Sequence, residues 1–177
     1  MRKIEYDKVV DAVAALCEQV AHELSGDVVD ALNSAAGKET NPGAKRTLEQ
    51  LIENARLASV ERIPLCQDTG LAVLFVRQGK DVVVEAAGDK TIIDAINDGV
   101  ARGYEQGYLR KSVVAEPMNE RKNTGSNTPA VIHYEVIPGD KLEIDVMLKG
   151  GGCENKSQFR MFKPTADREE ILSLIHI

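Results

Sequence analysis

Apolar and polar positions follow two different periods along this chain, and the switches between them mark its elements. From Ile4 to Leu24 the apolar residues Ile4, Val9, Val10, Val13, Leu16, Cys17, Val20 and Leu24 fall on one stripe, which predicts an amphipathic helix over 4–24. Cys17 lies on that stripe and reads as a small core residue. His22, near the helix end, reads as a solvated surface residue. A second short helix is expected over 27–36. The stretch GKETNPGAKR breaks the pattern, and Asn41-Pro42 is a helix-start signal. Leu48, Leu51, Ile52, Ala55 and Leu57 then supply the buried side of a third helix over 43–60.

The period changes after residue 70. LAVLFVRQG and DVVVEAAG are two short β-rich runs separated by a polar turn containing Gly79. Helical spacing returns over 89–106 with Ile92, Ile93, Ile96, Val100 and Tyr104, and 108–128 is polar and irregular. In PAVIHYEVIPGDKLEIDVMLKG, strict alternation on both sides of Pro-Gly-Asp predicts a β-hairpin with one buried face. His133 falls on its polar face beside Glu135 and reads as a surface residue. Helices, strands, a helix and a hairpin in that order predict an α+β fold, with N-terminal helices packed on a mixed, hairpin-containing β-sheet.

Composition narrows the class without naming a chemistry. With 177 residues, 43% hydrophobic and 28% charged, the chain can bury a core without disulfides or a structural metal. A net charge of −6 argues against nonspecific nucleic-acid binding, yet leaves room for a small anionic ligand, since a site is set by local charge. Three cysteines, widely spaced and odd in number, with no signal peptide ahead of them, are expected to be free thiols in a reducing cytoplasm. No run of 18 or more apolar residues suggests a membrane span.

Three polar clusters border the strands. The first is Cys66-Gln67-Asp68-Thr69-Gly70, a thiol beside a carboxylate at the start of an apolar strand. The second is Asn123-Thr124-Gly125-Ser126-Asn127, a compact set of amide and hydroxyl donors. The third is KGGGCENKS, in which Gly150, Gly151 and Gly152 free the backbone to turn and to present N–H groups to an anion, with Lys156 nearby. Each alone is compatible with an ordinary turn. The third lacks the G-x-x-x-x-G-K-[ST] spacing of a phosphate loop, and no histidine is placed to make Cys66 a hydrolase nucleophile. Together they describe either a pocket for a small oxygen-rich anion or a non-catalytic anion-binding module in which Cys66 is only a buried thiol.

Taken in order, PLCQDTG, NTGSNTPA and KGGGCENKS resemble the α-type region of the class I, iron–sulfur-dependent fumarate hydratases and the related L(+)-tartrate dehydratase α subunits. The likeness spans 1–167, and 168–177 reads as an atypical tail, the mark of a truncated frame or a foreign end. The resemblance implies a hydro-lyase that interconverts fumarate and malate, or alternatively acts on tartrate. It implies a [4Fe–4S] cluster held by three thiolates, with Cys66 one of them and the other two absent from this chain; Cys153 is not counted. Asp68 would assist proton transfer. Gln67, Arg110, Gly152, Asn123, Thr124, Gly125 and Lys156 would face a small dicarboxylate, Arg110 as a carboxylate fork. A β-type subunit or C-terminal region, in a homo- or hetero-oligomer, would complete the enzyme, and this stretch alone would be inactive.

Overall fold

The computed structural model describes residues 1–86, 88–154, 157, 159–173. In chain order the elements are β1 (Arg2–Glu5), α1 (Tyr6–His22), α2 (Gly26–Lys38), α3 (Pro42–Glu61), β2 (Leu71–Gly79), β3 (Val82–Glu85), α4 (Ile92–Gln106), β4 (Val131–Ile137), β5 (Leu142–Lys149), α5 (Gly151–Glu154) and α6 (Arg168–Ser173). The α+β class holds, and the three N-terminal helices stand within two residues of the expected limits at most ends. The first begins two residues late, at Tyr6. Ile4 belongs to a strand, because β1 pairs in parallel with β3, Ile4 opposite Val84, before the chain turns into α1.

Local chemistry sets the helix starts. The Asn41 side chain accepts hydrogen bonds from the Gly43 and Ala44 N–H groups, and Pro42 occupies the first turn, where no donor is missed. α4 begins at Ile92 and not at Asp89 because Thr91 and Asp94 form a reciprocal capping box.

The strands expected to pair as a hairpin do not pair with each other. The sheet order is β4-β2-β5, with β4 parallel and β5 antiparallel to β2. The continuous apolar run of β2 takes the centre, where Leu74 and Val76 are wholly buried, and the alternating strands take the edges. The Pro138–Lys141 link therefore crosses the end of β2, and this crossing is hydrogen-bonded. The N–H groups of Gly79, Lys80 and Asp81 donate to the carbonyls of Lys141, Ile137 and Gly139 at 2.7, 2.8 and 3.0 Å. The parallel β2–β4 pair needs a crossover, which α4 supplies.

α1 and α4 pack on one face of this sheet to form the core, with Val10, Val13, Ala95, Ile96, Val100 and Tyr104 against Ala72, Leu74 and Val76. The helices approach closely: a Cβ on Gly103 would sit 2.8 Å from the Cys17 Cβ. Cys17 is fully buried there, and burial pushes its thiol up to about 12, so it stays protonated at neutral pH. His22 is buried as well, contrary to its reading as a surface residue. The chain returning after α3 lies over the last turn of α1, the Leu65 N–H donating to the Ala21 carbonyl at 2.8 Å. The opposite face of the sheet is uncovered, and Leu71, Phe75, Val131 and Met147 are each 41–44% exposed on it. His133 lies on that face, stacked on Phe75 with ring centroids 4.8 Å apart. Among the described residues, no helix is long and apolar enough to cross a membrane.

Candidate active site

The segment before β2 is fixed at both ends. On one side the Leu65 carbonyl accepts from the Asn54 side chain at 3.0 Å, which ties the approach to Cys66 onto α3. On the other, Gly70 has φ +51 and lies so close to the end of β5 that a Cβ there would fall 1.9 Å from the Lys149 carbonyl oxygen. Only glycine fits both conditions. The loop 66–70 is thus pressed backbone to backbone against the turn 149–151.

Within the loop, Cys66 and Gln67 are exposed and Asp68 is half-buried. The Asp68 N–H donates to the Cys66 sulfur at 3.4 Å, and the thiol faces the Gln67 side-chain oxygen at 3.6 Å. The Asp68 carboxylate accepts the Gly151 N–H at 3.0 Å, across 83 residues of sequence. A Cβ on Gly150 would lie 3.1 Å from the same carboxylate oxygen. The Gly151 N–H of the glycine turn therefore serves Asp68. Gly152 is exposed with nothing within 4 Å of an added Cβ, and Lys156 lies outside the described residues.

A second loop, from 107 to 127, closes on the first from the other side. The Thr69 hydroxyl donates to the Arg110 carbonyl at 2.6 Å, and the buried Tyr104 hydroxyl donates to the Thr69 carbonyl at 2.8 Å. Burial pushes the Tyr104 phenol far up, so it remains a donor. Arg110 is exposed, and its guanidinium makes no ion pair among the described residues. The neighbouring Lys111 is engaged with Glu105 and holds that carboxyl below its usual range. Arg110 is thus an exposed cation without an ion-pair partner among the described residues.

The Asn-Thr-Gly run supports this second loop. The Asn123 amide donates to the Lys111 carbonyl at 2.8 Å while its oxygen accepts the Gly125 N–H at 2.7 Å. Thr124 accepts the Asn127 N–H on its hydroxyl at 3.1 Å. Tyr104 and Ser112 are participants that the sequence did not single out, and Thr69 and Asn127 stood in its polar clusters without a role of their own. Tyr104 showed only helical spacing and Asn127 only a place in a polar run, so neither carried a signal of its own. The Ser112 hydroxyl is buried without a partner among the described residues.

The resulting site is an open surface. An exposed thiol, a carboxylate held by a glycine turn and a free guanidinium on neighbouring loops can bind an anion and move a proton beside it. An apolar cleft of about 420 Å³ between the end of α1, α2 and α3 lies elsewhere. Its charged residues, Glu23 and Arg56, are already paired with Arg62 and Glu53, so it offers no comparable chemistry.

Among the described residues no group of three or more histidine, cysteine or acidic side chains is placed to hold a metal. Of the two thiols whose surroundings are described, Cys66 is exposed and Cys17 is sealed in the core. These residues therefore fit one corner of a thiolate-bound cluster and not the whole of it.

Comparison with known sequences places this geometry in context. The sequence model of one protein family, Fumarate hydratase (Fumerase), matches residues 10–176. A protein of Methanocaldococcus jannaschii provisionally named L(+)-tartrate dehydratase subunit alpha is 35% identical over 172 residues, covering 95% of this chain and 59% of that protein. The L(+)-tartrate dehydratase subunit alpha of Escherichia coli K12 is 27% identical over 172 residues, covering 96% of this chain and 55% of its own length. The protein of the same name in Shigella sonnei matches equally. The chain spans less than two thirds of the length of these relatives.

Proposed function

The chain belongs to the fumarate hydratase family, and from that premise we propose that it is the α-type portion of a hydro-lyase that adds water to fumarate and removes it from malate. The observation that carries this reading is the hydrogen bond from Gly151 to Asp68, which joins two of the three motifs at one point beside Cys66. By complete enzyme we mean this chain within a protein of its relatives' length, together with a β-type partner.

Asp68 is the proton carrier at the carbon that gains or loses hydrogen. Its oxygen bound to Gly151 keeps the carboxylate in one orientation, and the remaining lone pairs stay available. Arg110, exposed and without an ion pair among the described residues, takes one substrate carboxylate as a two-pronged donor. Gln67, exposed next to Asp68 in the same loop, faces the substrate carboxylates. Asn123, Thr124 and Gly125 shape the wall behind Arg110, Gly152 brings backbone to the substrate, and Lys156, four residues further along the sequence, adds positive charge. Cys66 is one ligand of a [4Fe–4S] cluster whose other thiolates come from outside this chain. When bound, such a cluster supplies a Lewis acid for the hydroxyl group.

The uncovered sheet face suits an assembly, and the relatives' subunit names support a β-type partner in an oligomer. We place the complete enzyme in the cytoplasm, where an exposed thiol stays reduced. The same names favour a second reading, dehydration of L-tartrate, which differs from malate by one hydroxyl. Anaerobic assays of the complete enzyme on malate and L-tartrate side by side separate the two. The fumarase reading expects kcat/KM for malate to exceed that for L-tartrate at least tenfold; the reverse order would replace it with the tartrate reading. Turnover of neither would remove both.

A further inference from the structure

Resting on the α-type reading above, we propose that Tyr108 is the anchor by which this chain holds its β-type partner at the rim of the candidate active site. The partner's side of the contact is an apolar pocket that takes an aromatic ring. Tyr108 is 93% exposed and makes no hydrogen bond or ring contact among the described residues. A lone exposed aromatic is ordinary on a protein surface. The backbone beneath it is not. Its φ is +51, a left-handed conformation that crowds any Cβ and is an outlier for a bulky side chain.

The end of α4 explains the conformation but not the residue. The Gly107 N–H donates to the Gly103 carbonyl at 2.9 Å, and the Leu109 N–H returns to the Tyr104 carbonyl at 3.0 Å. The residue between them closes the helix in the left-handed region, a place that glycine or asparagine usually takes. Leu109 is 4% exposed, in the core, so the turn is held on both sides and Tyr108 and Arg110 are turned outward around it. Arg62 has the same conformation after α3, but its side chain is bonded to Glu23 at 3.1 Å. Tyr108 bears the strain with no contact in return. A rigidly presented aromatic loses little freedom on binding, which is what an interface anchor requires. Two observations assign it to a partner of another kind. Tyr108 is two residues from Arg110, whose carbonyl accepts from Thr69 beside Asp68 at 2.6 Å, so it borders an open site. The relatives matched to this chain are named alpha subunits. A partner seated on Tyr108 lies across Arg110 and excludes water from it.

Tyr108→Gly tests this because strain and anchor move in opposite directions. In urea denaturation of this chain the glycine should raise the folded-to-unfolded ratio about threefold, since relief of the left-handed backbone outweighs the freedom glycine adds to the unfolded chain. In fluorescence-detected sedimentation of the complete enzyme over a dilution series, the same variant should raise the Kd between the α-type and β-type subunits at least about tenfold. Tyr108→Phe keeps the ring and should leave that Kd within about threefold of wild type. A wild-type Kd in Tyr108→Gly overturns the proposal, whatever its stability. So does a raised KM for malate with the Kd unchanged, which would make Tyr108 a substrate group. Loss of contact between copies of this chain, with the β-type contact intact, overturns it as well. Should the wild type form no complex with a β-type subunit, the partner reading above fails and this inference falls with it. A wild-type complex that Tyr108→Gly leaves intact removes the inference alone.

Discussion

Asp68→Asn is expected to lower kcat of the complete enzyme by roughly 10²–10⁴-fold, with KM for malate changed by less than about fivefold. The asparagine oxygen can still accept the Gly151 N–H, so the contact between the two loops survives. What disappears is the group able to take up and release a proton. Steady-state kinetics over a range of malate concentrations gives both parameters. A loss of less than tenfold in kcat would mean that some other base does the work. A large rise in KM alone would make Asp68 a binding group.

The second large effect is on stability. Gly70→Ala is expected to destabilise the fold by at least about 3 kcal/mol, or to prevent folding. Two penalties combine. The backbone at φ +51 is unfavourable for any residue with a Cβ, by about 1–2 kcal/mol. The Cβ would also lie 1.9 Å from the Lys149 carbonyl oxygen, so β2 and β5 would have to separate where their register begins. Gly125→Ala isolates the first penalty, because its φ is +76 and nothing lies within 4 Å of the added carbon. Urea denaturation of both variants should show a loss near 1–2 kcal/mol for Gly125→Ala and a much larger one for Gly70→Ala. Equal losses would mean that the close approach of the two backbones carries no energy.

These two residues also mark how far the sequence could be read. The helices were legible because their apolar stripes are long and their starts carry specific residues, Asn41 with Pro42 above all. The α+β class followed from the order of periods. Pairing was not legible. The 131–148 stretch has the alternation and the Pro-Gly turn of a hairpin, and period-two alternation records which face is buried without recording which neighbour is bonded. Only the competition for the sheet centre decides that, and the more uniformly apolar β2 occupies it. His22 escaped for a related reason, since its burial depends on where the chain returns after α3.

The candidate site divides in the same way. Cys66, Asp68 and the glycine turn were picked out by residue type and order, and their meeting point is a hydrogen bond between residues 83 apart. The connectors were silent. Asn127 is one asparagine in a polar run, and its importance comes from being buried with bonds to three separate segments. Tyr104 looks like any apolar helix position until its hydroxyl is found on Thr69. A residue that works by holding backbone leaves no local pattern, because the groups it holds are common to every amino acid.

The most direct test is the visible and electron paramagnetic resonance spectrum of the complete enzyme, purified without air and titrated with malate, in wild type and Cys66→Ser. The account predicts an iron–sulfur chromophore that malate perturbs, with fumarate hydration that air destroys, all three lost in Cys66→Ser. An unchanged malate-responsive spectrum in Cys66→Ser, or oxygen-stable hydration by wild-type enzyme free of iron, would contradict it.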